Sequence, residues 1–385
     1  MDKKEVLIIG HQLTVGGVQK SLVAALNAID YEKNIVTLYV RKNRLDLLPL
    51  INTNVKVIIN KDDTHYYRKP YAIWCQMLGK LGKGRKAEQY KSKLTGYIRS
   101  EMMDAEMNGY LSGKHFDVAI SYIQGYNADI LERVEADKKY VFYHGSTDEA
   151  HEFHENLFGK IDGIVAVSKY VSDILKKLYP AYADKVSVID NYVDADAVLK
   201  SSEKYEVDFP KNKIKLCSCG RLYPVKGFDL AVEAAKILKE KGVDFVWYFV
   251  GDGSERAKLE KMISEYGLSD HIVITGMKDN PYPYMAGCDI FVQPSYEDAQ
   301  PLSIIEAKIL GIPVVATKTV GGCDQIQDGV NGVLAEINAE SVAEGIYGLL
   351  TDKDKLDRIK TNLKNDDPKS EKKRYKENWE ILLEG

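Results

Sequence analysis

With 385 residues the chain is too long for one ordinary hydrophobic core and is expected to form two domains of similar size. Its composition, 45% hydrophobic and 29% charged with a formal net charge of -4 and a pI near 6.1, is that of a soluble globular protein and argues against a basic nucleic-acid binder. Five cysteines (Cys75, Cys217, Cys219, Cys288, Cys323) without CxxC spacing argue against a zinc site or a disulfide framework, and no run approaches the roughly 18 apolar residues of a membrane span.

The first predicted element, EVLIIG, is apolar on both faces, as in a parallel sheet. The segment MDKKEVLIIG has neither the long apolar region nor the cleavage site of a signal peptide, so the cytoplasm is the expected location. Gly16 and Gly17 then open an amphipathic helix, where close backbone approach and free N–H groups suit a phosphate. The loop lacks G-x-G-x-x-G spacing, and the next strand, NIVTLYV, leads to Arg41 rather than to an acid for a ribose hydroxyl. An NADP site and a plain packing turn both stay open here. Further strands are expected at VKVIIN, DVAISYI, YVFYHG, GIVAVS and KVSVIDN.

Between the third and fourth of these strands, residues 61–100 carry ten Lys and Arg against three acids, interleaved with Tyr66, Tyr67, Tyr71 and Trp74. Such a mixture suits an anionic membrane surface and a lipid diphosphate acceptor, with Trp74, Lys80, Lys83, Arg85 and Lys86 as the candidate patch. A solvated charged face is the plainer reading, and no RNA-binding motif accompanies it. His144 ends YVFYHG at a strand's carboxyl end; His151 and His154 in HEFH are a pair without a further metal ligand.

The polar stretch 194–213 divides the chain, giving domains at 1–197 and 214–366 with 198–213 as linker and DAD at 194–196 as a solvated turn. Beyond it, strands are expected at IKLCSCGR, FVWYFVG, HIVITG, DIFVQPS and PVVAT. Arg221 follows the first, and Lys226 precedes a helix beginning near Phe228; a planar fork and a point charge together can hold a diphosphate, although solvated surface charge is the plainer reading. DIFVQPS runs into Glu297 and Asp298 and then a helix with Pro301 in its first turn, where Leu302 and Ser303 present N–H groups at the positive end. Leu302, Ile305 and Ile309 are expected as the buried stripe, with Glu306 beside it as a carboxylate for sugar hydroxyls and Asp298 as a second contact. Alternatively Asp298 caps the helix and Glu306 complements its dipole. A terminal helix over 367–385 is expected to pack back through Tyr375, Trp379 and Leu382.

Taken together and in order, GGVQKSL, VAVSKYVSDIL, VIDNYVD, GRLYPVKG, VGDGSERAKLE, ITGMKDNPYPYMAGCDIFVQPS and IIEAKILGIPVVAT resemble the retaining glycosyltransferases of glycosyltransferase family four, of the bacterial surface-polysaccharide type, over nearly the whole chain. The resemblance implies the GT-B architecture: two doubly wound Rossmann-like α/β domains facing a central cleft, the amino-terminal one for the acceptor and the carboxyl-terminal one for the nucleotide sugar. It implies that no metal or other cofactor is needed, because Arg221, Lys226 and the helix start after Pro301 stabilise the leaving diphosphate. It also implies that His144 contacts the transferred sugar. The family's two glutamates, with seven residues between them, correspond here to Asp298 and Glu306, with Glu297 one position early; the glutamate after its double glycine is here Gln19.

The implied catalytic residues are therefore Glu306, Asp298 and His144, and the implied donor site is Gly16, Gly17, Arg221, Lys226, Pro301, Leu302, Ser303 and Glu306. The expected function is metal-independent retaining transfer of a hexose or N-acetylhexosamine, with a UDP-sugar as the first choice of donor, to a lipid-linked or growing surface glycan such as a capsule at the inner membrane face. Two other readings stay open: a catalytically silent nucleotide-sugar-binding partner of another glycosyltransferase, and an NADP-dependent oxidoreductase.

Overall fold

The computed structural model describes residues 2–14, 16–60, 109–145, 155–365 and 368–384. The chain divides into two compact units, one of residues 1–166, 175–187 and 379–385, the other of 167–174 and 188–378.

Among the described residues of the first unit, seven strands form one sheet in the order β3-β2-β1-β4-β5-β6-β7: β1 (Lys4–Gly10), β2 (Asn34–Val40), β3 (Lys56–Ile59), β4 (His115–Ser121), β5 (Glu135–Tyr143), β6 (Gly163–Ala166) and β7 (Val186–Val188). Neighbours run parallel from β3 to β6, with Val6 opposite both Val36 and Val118. Both faces are covered, so Val6, Leu7, Ile8 and Ile9 are all fully buried, as an unbroken apolar run requires. Helix α1 (Gly17–Ala28) follows β1, α2 (Glu155–Phe158) precedes β6, and α3 (Lys169–Leu178) follows it.

After β7 the chain enters the second unit again with α4 (Ala195–Ser202), inside the stretch expected to be a linker. DAD is the start of this helix rather than a solvated turn, because Asp194 is well placed to cap it. Its carboxylate accepts from the Ala197 N–H at 3.1 Å and from Lys372 Nζ at 3.1 Å.

Six strands then form the second sheet, all pairs parallel, in the order β10-β9-β8-β11-β12-β13: β8 (Ile214–Cys219), β9 (Phe245–Val250), β10 (Ile272–Gly276), β11 (Ile290–Gln293), β12 (Val314–Thr317) and β13 (Gly332–Ala335). Helices α5 (Phe228–Glu240), α6 (Arg256–Glu265), α7 (Tyr282–Ala286), α8 (Leu302–Ile309), α9 (Val320–Gln325), α10 (Ala339–Thr351) and α11 (Lys353–Lys364) intervene or follow, and α12 (Pro368–Glu384) closes the chain. Tyr375, Trp379 and Leu382 of α12 are buried, as their helical spacing predicts. The short β13 was not foreseen, since four residues that begin with the glycine of an Asn-Gly pair give too brief an apolar run to stand out.

Both sheets are doubly wound, and in each the strand order reverses between the first and fourth strands of the unit: β1 with β4, and β8 with β11. At such a switch point the loops leaving two adjacent strands diverge to opposite faces and open a crevice beyond their carboxyl ends.

Candidate functional site

The β8 and β11 loops carry the cations and acids singled out in the sequence. At the end of β8 the chain turns through Gly220 to the exposed Arg221, whose guanidinium lies 4.9 Å from the Tyr223 ring centroid. A short 3-10 turn, Pro224–Lys226, brings Lys226 to the start of α5. Between them Gly227 adopts φ 64°, and a Cβ there would overlap the carbonyl oxygen of Pro294 on the β11 loop. Only glycine permits both the left-handed backbone and this approach of the two loops. Backbone bonds from Tyr296 N (2.9 Å) and Glu297 N (3.3 Å) to the Val225 carbonyl fasten them further.

Lys226 Nζ donates to Asp298 Oδ2 at 2.5 Å, and the two side chains retain only 23% and 11% exposure. Asp298 therefore holds the lysine instead of capping α8, which has neither a side-chain cap nor an acid in its first turn. The first N–H groups of α8, from Leu302 and Ser303 after Pro301, thus stand at an uncompensated positive helix end. Ser303 turns its hydroxyl inward, donating to Gln293 Oε1 at 2.8 Å, so its contribution to an anion is its amide.

Glu306 is 2% exposed and shares the buried face of α8 with Leu302, Ile304 and Ala307. This corrects the expected stripe: Ile305 and Ile309 are only half-buried, because the helix turns its Ile304 and Ala307 side into the core formed with Phe291 and Val314. The Glu306 carboxylate accepts from the Tyr282 hydroxyl of α7 at 2.9 Å. Tyr282, like Gln293 and Ser295, was missed, since a single tyrosine in a proline-rich turn gives no signal in the sequence.

In the first unit, Gly16 and Gly17 stand at the start of α1, where Gly16 is an extended N-cap without a side-chain cap and Gly17 is exposed. His144 follows β5. Its Nε2 lies 2.9 Å from the Tyr122 carbonyl, an obligate acceptor, so Nε2 carries the proton and Nδ1 is the basic nitrogen; the His144 N–H donates to Gln124 Oε1 at 3.0 Å. Desolvation lowers the imidazole pKa to about 4, only partly opposed by the Tyr122 bond, which keeps the ring neutral near pH 7. Tyr122 links this histidine to α1, its hydroxyl lying 2.8 Å from Ser21 Oγ. The rings of Tyr122, Phe142 and Trp379 stack at centroid distances of 4.7 and 5.3 Å.

Trp74, Lys80, Lys83, Arg85, Lys86, His151 and His154 lie outside the described residues. Among the described residues no group of three or more His, Cys, Asp or Glu side chains is placed to hold a metal ion, and no helix is long and apolar enough to cross a membrane. A cavity of about 970 Å³ in the second unit, with Asp190, Lys308 and Arg374 in its wall, is lined by none of Arg221, Lys226, Asp298 or Glu306.

Residues 200–366 match the model of the family described as glycosyl transferases group 1. The chain is 29% identical over 198 residues to the lipopolysaccharide core biosynthesis glycosyltransferase LpsE of Rhizobium meliloti, covering 51% of this chain and 56% of that protein. It is 30% identical over 174 residues to the 2-deoxystreptamine glucosyltransferase of Streptomyces kanamyceticus, covering 43% and 44%. The chain spans about half the length of the curated relatives it matches. The solved structure of Anabaena HepE in complex with UDP and glucose is similar at a TM-score of 0.70 and 16% identity, covering 98% of this chain and 100% of that chain. The fold is thus that of the GT-B glycosyltransferases, with two doubly wound Rossmann-like units.

Proposed function

We propose that this protein is a glycosyltransferase of the polysaccharide-biosynthesis type that takes a hexose or N-acetylhexosamine from a nucleotide diphosphate sugar, with a UDP-sugar as first choice, and passes it with retention to a lipid-linked or growing glycan. The observation that carries the reading is Lys226, held by Asp298 at the switch point of the second sheet beside the uncompensated start of α8. The family match over 200–366, the carbohydrate-transferring relatives and a structural neighbour holding UDP and glucose all support it.

Breaking the glycosidic bond leaves charge on the departing diphosphate, which a preorganised cation and helix-end amides stabilise without rearrangement. Lys226 supplies the point charge, the exposed Arg221 a planar fork, and the Leu302 and Ser303 amides the dipole end. The reading requires no metal ion. Asp298 serves chiefly as the counter-ion that fixes Lys226, a task for which its short side chain is long enough. Glu306, oriented by Tyr282, is the acceptor for hydroxyls of the nucleotide sugar. His144 acts as a neutral acceptor through Nδ1 for a sugar hydroxyl. Retention needs no enzyme nucleophile, since the leaving phosphate can take the acceptor's proton on the face it departs from.

The test is UDP release from UDP-glucose and UDP-N-acetylglucosamine with a lipid-linked glycan extract, in the presence of EDTA, with the product anomer assigned by NMR. Acceptor-dependent release with retained configuration supports the reading; nucleotide bound but never released identifies the silent partner instead. The proposal includes attachment to anionic membrane through the basic segment, and charge reversal of Lys83, Arg85 and Lys86 is expected to reduce binding to phosphatidylglycerol vesicles.

A further inference from the structure

Strand β11 is apolar through Ile290, Phe291 and Val292 and then ends in Gln293, which is 5% exposed. A buried amide at the end of a core strand is costly unless its hydrogen bonds are made, and here both ends make them. Nε2 donates to Ser295 Oγ at 2.9 Å, and Oε1 accepts from Ser303 Oγ at 2.8 Å. Ser295 is fully buried; having accepted from Gln293, its hydroxyl proton is free for Asp298 Oδ2 at 3.4 Å, the oxygen that also accepts from Lys226. Thr317 at the end of β12 secures the same turn, its hydroxyl lying 2.6 Å from the Ser295 carbonyl and 3.2 Å from that of Gln293.

The result is one chain, Ser303 to Gln293 to Ser295 to Asp298 to Lys226. It joins two groups that stand on separate loops and have no direct bond: the first turn of α8 and the cation of the β8 loop. We infer that Gln293 is a positioning residue for diphosphate binding, setting the α8 amides and the Lys226 ammonium at a fixed separation. The inference rests on reading these loops as the donor site. Gln293 itself, behind Ser303 and Ser295, touches no substrate.

A residue that merely fills the core and one that positions the cradle differ in energetic coupling. UDP is titrated calorimetrically into the full chain as wild type, Gln293→Met, Lys226→Met and the double variant, with folding checked by circular dichroism. Each single variant is expected to weaken UDP by about tenfold, and the double variant to fall short of the product of the two losses by at least about threefold, because the chain is already cut. Losses that multiply overturn the inference.

Should Gln293→Met fail to fold, the milder Ser303→Ala takes its place in the same cycle with Lys226→Met, and the same non-additivity is required. A wild-type protein that binds none of UDP, GDP or ADP sinks the donor-site reading and the inference with it. Wild-type binding with multiplicative losses removes the inference alone.

Discussion

At the switch point of the second sheet, Lys226, Asp298, Ser295, Gln293 and Ser303 form a hydrogen-bonded polar chain under an uncompensated helix end. At the ends of β4 and β5 in the first sheet, beside its switch point, Tyr122, Phe142 and His144 form a stack of rings with Trp379 of α12, in which Tyr122 and His144 carry the polar contacts. The same topology has been filled with opposite materials. If the second region cradles a diphosphate, as proposed, it must fix charge, and paired ions and satisfied amides do so. In the first unit the buried rings fix shape instead, and the neutral imidazole leaves Nδ1 as an acceptor for the sugar hydroxyl of the proposed reading.

The largest expected difference between the two regions is catalytic. Lys226→Met removes the fixed cation and is expected to lower kcat by about 10²–10³, the usual cost of losing one stabilising donor. Adding Asp298→Asn should recover stability lost with the unpaired carboxylate while leaving kcat low; recovered turnover would show that the charge is not needed. Next comes backbone geometry. Gly227→Ala combines a left-handed φ with a clash against Pro294 and is expected to destabilise the second unit by about 2–4 kcal/mol, read from denaturant unfolding.

The first region responds to pH instead. The folded pKa of His144, about 4, lies below the ordinary 6.5, so the unfolded chain binds the extra proton. This contribution to stability is complete above about pH 6.5 and declines as pH falls toward 4. The melting temperature should follow, and His144→Phe should flatten that slope. Smallest is Tyr122→Phe, which deletes the hydroxyl facing Ser21 and is expected to cost about 1 kcal/mol.

Much of this architecture was readable in advance because buried parallel strands leave an unbroken apolar signal. VLIIG, FVWYFV and PVVAT announce themselves, and strand alternation with helices fixes the doubly wound order. Arg221, Lys226 and Asp298 stood out because charges at strand ends are conspicuous. That Asp298 grips Lys226 was not legible, since the two lie 72 positions apart and meet only after Gly227 lets the loops touch. Gln293 and Ser295 gave no warning, being common polar residues whose partners are assembled by the fold. The stripe on α8 was misjudged because helical spacing alone does not tell which side faces the core, and Glu306 turned out to lie on the buried side.

A crystal structure of the protein soaked with UDP probes the central claim most directly. The diphosphate should lie within hydrogen-bonding distance of Lys226 Nζ and of the Leu302 and Ser303 amides. Phosphates seated elsewhere, with the lysine still bound only to Asp298, would contradict it.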